Sequence, residues 1–299
     1  MKVYLGVPRG FCAGVVRAID IVELALKKFG PPIYVKHQIV HNPHVVNDLE
    51  NKGAITVEKV EDIPSGSRVV FSAHGSSPQD FIKAKSLGLN VIDATCPLVI
   101  RVHNEAKKYH KEGRKVLLVG HKGHQEVIGT MGQADMELID DRDVFNPPHW
   151  DPKTPVAVIT QTTLSVDDTE QSIHNISEKF EDVIVRNDLC YATTNRQMAV
   201  KKISQFVDMF LVIGAENSSN CNRLREVAEK KGLRSYLINS LDDFDPSWLK
   251  NVENIGITSG ASTPENLVNE IVDFLTPEEV IYMGGEEENI TFNLPLELR

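Results

Sequence analysis

The sequence lacks the features of a membrane or secreted protein. No apolar run approaches the roughly 20 residues that a helix needs to span a bilayer, and the apolar start of the chain is interrupted at Pro8 and Arg9, too early for a secretory signal. Basic residues are also scarce: 32 Lys and Arg face 42 Asp and Glu, which gives a formal net charge of −10. Because nucleic-acid binding depends on clustered Lys and Arg, we expect no nucleic-acid partner. Together with the missing membrane span and secretory signal, this predicts a cytoplasmic protein with no membrane partner.

Cysteine is rare as well, with four residues in 299. Thiols stay reduced in the cytosol, so metal ligands, nucleophiles and small core residues are the roles to weigh. The C-x2-C pair common in structural zinc sites is absent, and so is the G-x-G-x-x-G fingerprint of dinucleotide binding. Without that fingerprint, any reduction carried out by this chain takes its electrons from an external donor.

Three of the four cysteines occupy equivalent positions. Cys12, Cys96 and Cys190 each end a short apolar, strand-like run and precede a helical pattern, at intervals of 84 and 94 residues. Cys221 breaks this pattern because it follows a polar loop. We interpret it as a bystander, with a fourth metal ligand as the alternative. A site shared by three similar parts of the chain is the simplest explanation for the other three.

The distances from each cysteine to the following polar loops support an internal repeat. A first polar loop comes after 29, 28 and 30 residues, and a later one after 62, 66 and 72 residues. Strands that deliver polar loops before helices are typical of βαβ units, so we predict an α/β fold of three similar parallel-sheet domains. The predicted domains are residues 1–96, 97–189 and 190–279, followed by a C-terminal strap at 280–299.

The equivalent cysteines indicate a metal centre. Three thiolates suit zinc or an iron-sulfur cluster, and a cluster tolerates ligands from distant segments. In a 4Fe-4S cluster, three cysteines leave one iron without a protein ligand, and such an iron can act as a Lewis acid toward a substrate oxygen. Helices that begin just after the cysteines direct their positive ends toward such an anionic group. The alternative is that the cysteines are small buried hydrophobic residues.

The polar loops carry hydroxyls, amides and imidazoles at the points where strands turn into helices. Backbone N–H groups and helix dipoles at such turns suit a phosphate, so we predict a phosphate or diphosphate site. For any single Ser or Thr, the alternative is that it caps the following helix. The candidate residues are His41, His74, His124, Thr162, Ser218, Ser219, Asn220 and Ser262.

Glu126 lies two residues after His124 and is a candidate proton donor. A carboxyl group desolvated beside these imidazoles would have the raised pKa that a general acid requires. Two alternatives remain open. The first is that Glu126 is a solvated surface residue, since most glutamates lie at the surface. The second is that the stretch 121–126 supplies metal ligands at short spacing, although this signal is weak.

Several longer stretches carry a resemblance to a known family: residues 8–15, 37–42, 71–75, 93–99, 120–126, 129–132, 160–169, 190–197, 217–220 and 260–262. Together they resemble the 4-hydroxy-3-methylbut-2-enyl diphosphate reductases of the non-mevalonate isoprenoid pathway. The resemblance covers the whole chain and does not depend on any one motif.

This resemblance implies a pseudo-threefold trefoil of three α/β domains around a central cavity, with one oxygen-sensitive 4Fe-4S cluster per chain on Cys12, Cys96 and Cys190. It implies reduction of (E)-4-hydroxy-3-methylbut-2-enyl diphosphate to isopentenyl and dimethylallyl diphosphate, with the substrate coordinated to the open iron. The implied electron donor is a ferredoxin or a flavodoxin. By position, the resemblance assigns Glu126, Thr162 and His124 to catalysis. It assigns diphosphate binding to His41, His74, His124, Ser218, Ser219, Asn220 and Ser262.

Overall fold

The computed structural model describes residues 1–285 and 288–299 of the chain. Within these ranges, none of the helices combines the length and the apolar character that a bilayer span requires. The chain divides into two compact units. Unit I contains Met1–Val15, His41–Val45 and Cys190–Thr291, and unit II contains Val16–Val40, Val46–Leu189 and Phe292–Arg299.

The strands are short and several are buried along their whole length, as expected for parallel sheets that are covered on both faces. They are β1 (Lys2–Val7), β2 (Ile33–Lys36), β3 (Ala54–Val57), β4 (Arg68–Phe71), β5 (Asn90–Asp93), β6 (Lys115–Val119), β7 (Met136–Ile139), β8 (Val156–Thr160), β9 (Val183–Val185), β10 (Met209–Ile213), β11 (Arg234–Ile238), β12 (Asn254–Ser259) and β13 (Glu279–Gly284).

Several helices begin where a side chain caps a free N–H group. Ser165 accepts a hydrogen bond from the Asp168 N–H at 3.3 Å, and the Cys190 sulfur accepts one from the Thr193 N–H at 3.3 Å. The helices are α1 (Ala13–Phe29), α2 (Pro43–Asn51), α3 (Pro78–Ser86), α4 (Pro97–Lys111), α5 (Gln125–Met131), α6 (Val166–Lys179), α7 (Tyr191–Ile203), α8 (Ser219–Glu229) and α9 (Glu265–Leu275).

Unit I is built on a five-stranded sheet with the order β11-β10-β12-β1-β13, in which all neighbours are parallel. The predicted domain boundaries stay a prediction. They would separate β1 and β13 from β10, β11 and β12, although these five strands form one sheet. The reason is packing: Val3 and Leu5 of β1 are fully buried in one core with Leu211 and Ile257. The sequence pattern of β1 shows that it is buried but not which sheet buries it.

Unit II contains two further parallel sheets, with the orders β3-β2-β4-β5 and β7-β6-β8-β9. The predicted α/β class is therefore confirmed, with three parallel sheets in the described part of the chain. Because parallel strands end on the same edge of a sheet, the loops after neighbouring strands lie close together. This brings the segment after β4 beside Cys96, whose N–H donates to the Ala73 carbonyl at 3.0 Å.

Candidate active site

Glu126 lies in the first turn of α5 and is 3% exposed. Thr162 donates to both of its carboxyl oxygens, from the backbone N–H to Oε1 at 2.6 Å and from the hydroxyl to Oε2 at 2.9 Å. Burial raises the pKa of Glu126 to about 7, although the two hydrogen bonds from Thr162 act in the opposite direction. A large fraction of this carboxyl group is therefore protonated at neutral pH, as a proton donor requires. Its burial excludes the surface alternative.

The imidazole of His124 has a defined tautomer. Its Nδ1 accepts a hydrogen bond from the Glu126 N–H at 3.2 Å and so caps α5, which leaves the proton of the neutral ring on Nε2. The ring of His74 lies edge-on to it, with the centroids 6.1 Å apart, and the Ser72 hydroxyl is 3.3 Å from His74 Nδ1. Unit II therefore brings together both imidazoles, Glu126 and Thr162 at loops that follow β4, β6 and β8.

Residues 121–126 do not form the metal-ligand set that was the alternative for this stretch. Both oxygens of Glu126 are bonded to Thr162, while His121 Nε2 lies 2.8 Å from Asp141 Oδ1. The neighbouring Asp140 is bonded by the Arg142 guanidinium and by the Lys122 N–H. His121 is therefore part of a polar cluster with acidic residues that follow β7, separate from the Glu126 carboxyl.

In unit I, the polar side chains after β10 and β12 meet at the carboxyl edge of the sheet. The Asn220 Oδ1 accepts a hydrogen bond from the Ala261 N–H at 3.1 Å, and the Ser262 hydroxyl donates to the His41 carbonyl at 3.0 Å. Ser218 is the N-cap of α8, which confirms the capping alternative for this residue. The buried Nδ2 of Asn220 has no hydrogen-bond partner among the described residues, so an amide donor is available for an anionic ligand.

The three equivalent cysteines differ from the fourth in exposure. Cys12, Cys96 and Cys190 are partly exposed and come immediately before α1, α4 and α7, whereas Cys221 is fully buried. A helix N-terminus stabilises a thiolate, so these three positions fit the ligands of an anionic cluster. Within unit I, the Tyr191 hydroxyl accepts a hydrogen bond from the Ala13 N–H at 3.1 Å and links the residues that follow two of the cysteines.

Two buried arginines support the cysteine loops, and the sequence did not reveal this role. Arg196 is fully buried and donates to the Gly10 carbonyl at 2.9 Å, two residues before Cys12. In unit II, Arg17 donates to the carbonyls of Ala94 and Thr95 at 3.2 and 3.0 Å, directly before Cys96. The only available signal is that a charged residue lies close to apolar positions of an amphipathic helix.

The buried Glu126 makes the stability of the protein depend on pH. Its pKa rises from an ordinary 4.5 to about 7 in the folded state, so its contribution is fully present below pH 4.5 and is lost as the pH rises through 7. We expect the free energy of unfolding of the wild type, relative to Glu126→Gln, to fall by about 3 kcal/mol over that interval. Urea unfolding of both proteins from pH 4.5 to 8 measures this difference, and a constant difference would contradict it.

Comparison with known proteins gives a consistent result. A family model described as LytB protein matches residues 3–276. The chain is 51% identical to 4-hydroxy-3-methylbut-2-enyl diphosphate reductase 2 of Bradyrhizobium diazoefficiens, over 100% of this chain and 99% of the relative. It is 47% identical to 4-hydroxy-3-methylbut-2-enyl diphosphate reductase of Burkholderia pseudomallei, over 100% of this chain and 97% of the relative. It is similar in structure to the E-1-hydroxy-2-methyl-but-2-enyl-4-diphosphate reductase from Plasmodium falciparum, with a TM-score of 0.93 and 40% identity over 99% of this chain and 96% of that chain.

Proposed function

The chain belongs to the LytB family, and on this premise we propose that it reduces (E)-4-hydroxy-3-methylbut-2-enyl diphosphate to isopentenyl and dimethylallyl diphosphate, the last step of the non-mevalonate isoprenoid pathway. The reaction adds two electrons and two protons and releases water. The observation that carries the proposal is the buried Glu126 carboxyl group bonded to Thr162. Loss of a hydroxyl group as water needs an acid that keeps its proton at neutral pH. An electron carrier or a phosphate-binding module has no use for such a group.

We assign Cys12, Cys96 and Cys190 as the ligands of one 4Fe-4S cluster per chain. Their partial exposure and their positions before three helices support this assignment, as does the full burial of Cys221. When bound, the cluster would supply electrons and the Lewis acidity of an iron that has no protein ligand. We propose a ferredoxin or a flavodoxin as the electron donor, as the resemblance to the family implies, and the cytoplasm as the location.

The diphosphate would be bound mainly by neutral donors. The N-terminus of α8 offers backbone N–H groups together with the hydroxyls of Ser218 and Ser219, and the Asn220 Nδ2 is a buried donor that no described residue engages. Binding at the diphosphate end holds the allylic hydroxyl in place for reaction, which lowers the entropic part of the barrier. The proposed set consists of His41, His74, His124, Ser218, Ser219, Asn220 and Ser262.

Glu126 would deliver its proton through the Thr162 hydroxyl. The 2.9 Å separation of Thr162 Oγ1 and Glu126 Oε2 allows the hydrogen bond to run in either direction, so a protonated Glu126 can donate to Thr162. The Thr162 hydroxyl can then pass its own proton to the leaving oxygen of the substrate. His124, fixed as the Nε2–H tautomer by the Glu126 N–H, adds a donor beside this pair.

The proposal is tested on anaerobically purified protein labelled with iron-57. Under the proposal, Mössbauer spectra show one iron in about four that differs from the rest and changes when the substrate diphosphate is added. The same preparation forms both products with a chemical reductant. Similar irons that do not respond to substrate, together with no product, would indicate an electron carrier with a fully ligated cluster. A colourless, zinc-containing preparation would indicate a phosphate-binding module.

A further inference from the structure

Cys221 lies beneath two loops of unit I that end on the same edge of the sheet. Donor loop 1 is residues 214–220, which follow β10 and run into α8, and donor loop 2 is residues 260–263, which follow β12. β10 and β12 are hydrogen-bonded neighbours, so the two loops are adjacent. Cys221 is 0% exposed, and its sulfur lies close to Gly214 of donor loop 1 and Gly260 of donor loop 2.

The Cys221 thiol is surrounded by polar groups from each loop. Burial raises the pKa of the Cys221 thiol, and the nearby side chains of Ser218 and Thr263 act in the opposite direction. The Thr263 hydroxyl and the Gly260 N–H both donate to the Ile213 carbonyl, at 3.0 Å each, which ties donor loop 2 to the end of β10. The Cys221 N–H donates to the Ser218 hydroxyl at 3.4 Å. The Cys221 side chain also belongs to an apolar core cluster with Val212 and Leu224. Its sulfur therefore lies between that core and the two loops, close to Gly214 and Gly260.

Two glycines provide the space that the sulfur occupies. A Cβ atom at Gly214 would lie 2.3 Å from the Cys221 sulfur, and a Cβ atom at Gly260 would lie 2.1 Å from it. Both distances are far below van der Waals contact, so the loops approach the sulfur as closely as a backbone without side chains allows. The size of the Cys221 side chain therefore sets the separation of the loops.

The same loops carry the proposed diphosphate donors. Ser218, Ser219 and Asn220 belong to donor loop 1, and Ser262 belongs to donor loop 2. A direct link between the loops, from the Ala261 N–H to Asn220 Oδ1 at 3.1 Å, fixes the orientation of the Asn220 amide. The Nδ2 of that amide is buried and has no partner in the described ranges, so a shift of either loop moves the donor that a ligand would meet.

We propose that Cys221 is a positioning residue whose thiol fixes the separation of donor loops 1 and 2 and thereby aims the Asn220 amide at the diphosphate. The proposal rests on the proposed function, since it concerns the diphosphate of the same substrate. It gives the fourth cysteine a role in substrate affinity without making it a metal ligand. The role depends on the volume of the Cys221 side chain, which substitutions can change.

The test uses Gly260, whose φ angle is not in the positive range and therefore admits other residues, unlike Gly214 with a φ of 153°. Gly260→Ala places a methyl group against the sulfur. We expect the KM for the substrate to rise about tenfold or more, with a smaller change in kcat. This is the size of effect expected when one hydrogen bond to a charged group is lost. Inorganic diphosphate should lose potency as an inhibitor by a similar factor. Combining Gly260→Ala with Cys221→Ala removes the sulfur and should return the KM to within about threefold of the wild type.

Two further variants serve as controls. Gly285→Ala adds a methyl group where no atom lies within 4 Å of the new Cβ, and it should leave the KM unchanged. Cys221→Ser keeps an acceptor of similar size and should keep the affinity for inorganic diphosphate. The absorption of the bound cluster and the circular dichroism of every variant show whether the protein is folded and loaded.

The outcomes separate the two proposals. If wild-type protein forms no product with a chemical reductant, the proposed function fails. If the wild type is active but Gly260→Ala keeps a normal KM, the inference about Cys221 is overturned. It is also overturned if the KM of the double variant is no lower than that of Gly260→Ala alone. The same holds if Gly260→Ala loses its cluster and the double variant does not recover it. In both cases the sulfur would not be the atom against which the added methyl group packs.

Discussion

Glu126→Gln protein is expected to turn over at least about 100-fold more slowly than the wild type, because glutamine keeps the shape of the side chain but has no proton to give. Both carboxyl oxygens accept hydrogen bonds from Thr162, so an amide in the same place keeps one acceptor and the geometry of the loop. The loss should therefore appear in kcat and much less in KM. Steady-state kinetics with a chemical reductant measures it.

The matched control is Glu137→Gln, because Glu137 lies on β7 in the same unit and its side chain is exposed. It should keep wild-type kinetics. The pH profile adds an independent check: because the pKa of Glu126 is about 7, kcat of the wild type should fall as the pH rises above that value and the acid loses its proton. A Glu126→Gln protein with nearly normal kcat would remove Glu126 from the proton path.

Serine in place of Cys12, Cys96 or Cys190 is expected to abolish activity and to lower the iron content well below about four per chain. A neutral hydroxyl is a much weaker ligand for iron than a thiolate, and no neighbouring cysteine is exposed to replace it, since Cys221 is fully buried. Iron and sulfide analysis, together with the absorption spectrum of anaerobic protein, measures the loss.

Cys221→Ser is the matched control for the three ligand variants and should keep its iron. If this variant alone lost the cluster, Cys221 would be a fourth ligand, and the iron without a protein ligand that the mechanism requires would not exist. If only one of the three other variants lost iron, the assignment of a single shared cluster would be wrong. Each result is read from the metal content and does not depend on the activity assay.

Regular elements were predictable where the local sequence alone determines them. The apolar run at 115–119, placed between Gly113 and Gly120, predicts β6 with its exact bounds. The apolar pattern also predicts a strand at 33–40, but β2 ends at Lys36 because the next residue, His37, has a φ of 61°, in the left-handed region and not in the extended conformation of a strand. The apolar pattern at 223–231 also predicts a helix, but α8 runs from Ser219 to Glu229, because the pattern does not show the polar first turn that Ser218 caps.

The site was predictable to the extent that it depends on the order of strands and loops. Similar spacing pointed to the cysteines and the polar loops as candidates, since in parallel sheets every strand end faces the same edge. The burial of Glu126 and the supporting roles of Arg17 and Arg196 were not predictable. They depend on which segments pack together in three dimensions, and a single sequence records that only as a charged residue in an otherwise apolar pattern.

The central place of β1 in its sheet has a consequence for biosynthesis. Lys2 pairs with Asn254 on one side and with Glu279 on the other, so β1 has no partner in its sheet until about 250 more residues have been translated after it. At about 5–20 residues per second this wait lasts ten seconds or longer. The strand that precedes Cys12 is thus translated long before the strands that pair with it. Folding of unit I, and any metal loading that depends on it, must therefore wait until β12 and β13 have been made, and the nascent chain has to keep the apolar strand β1 from aggregating in the meantime.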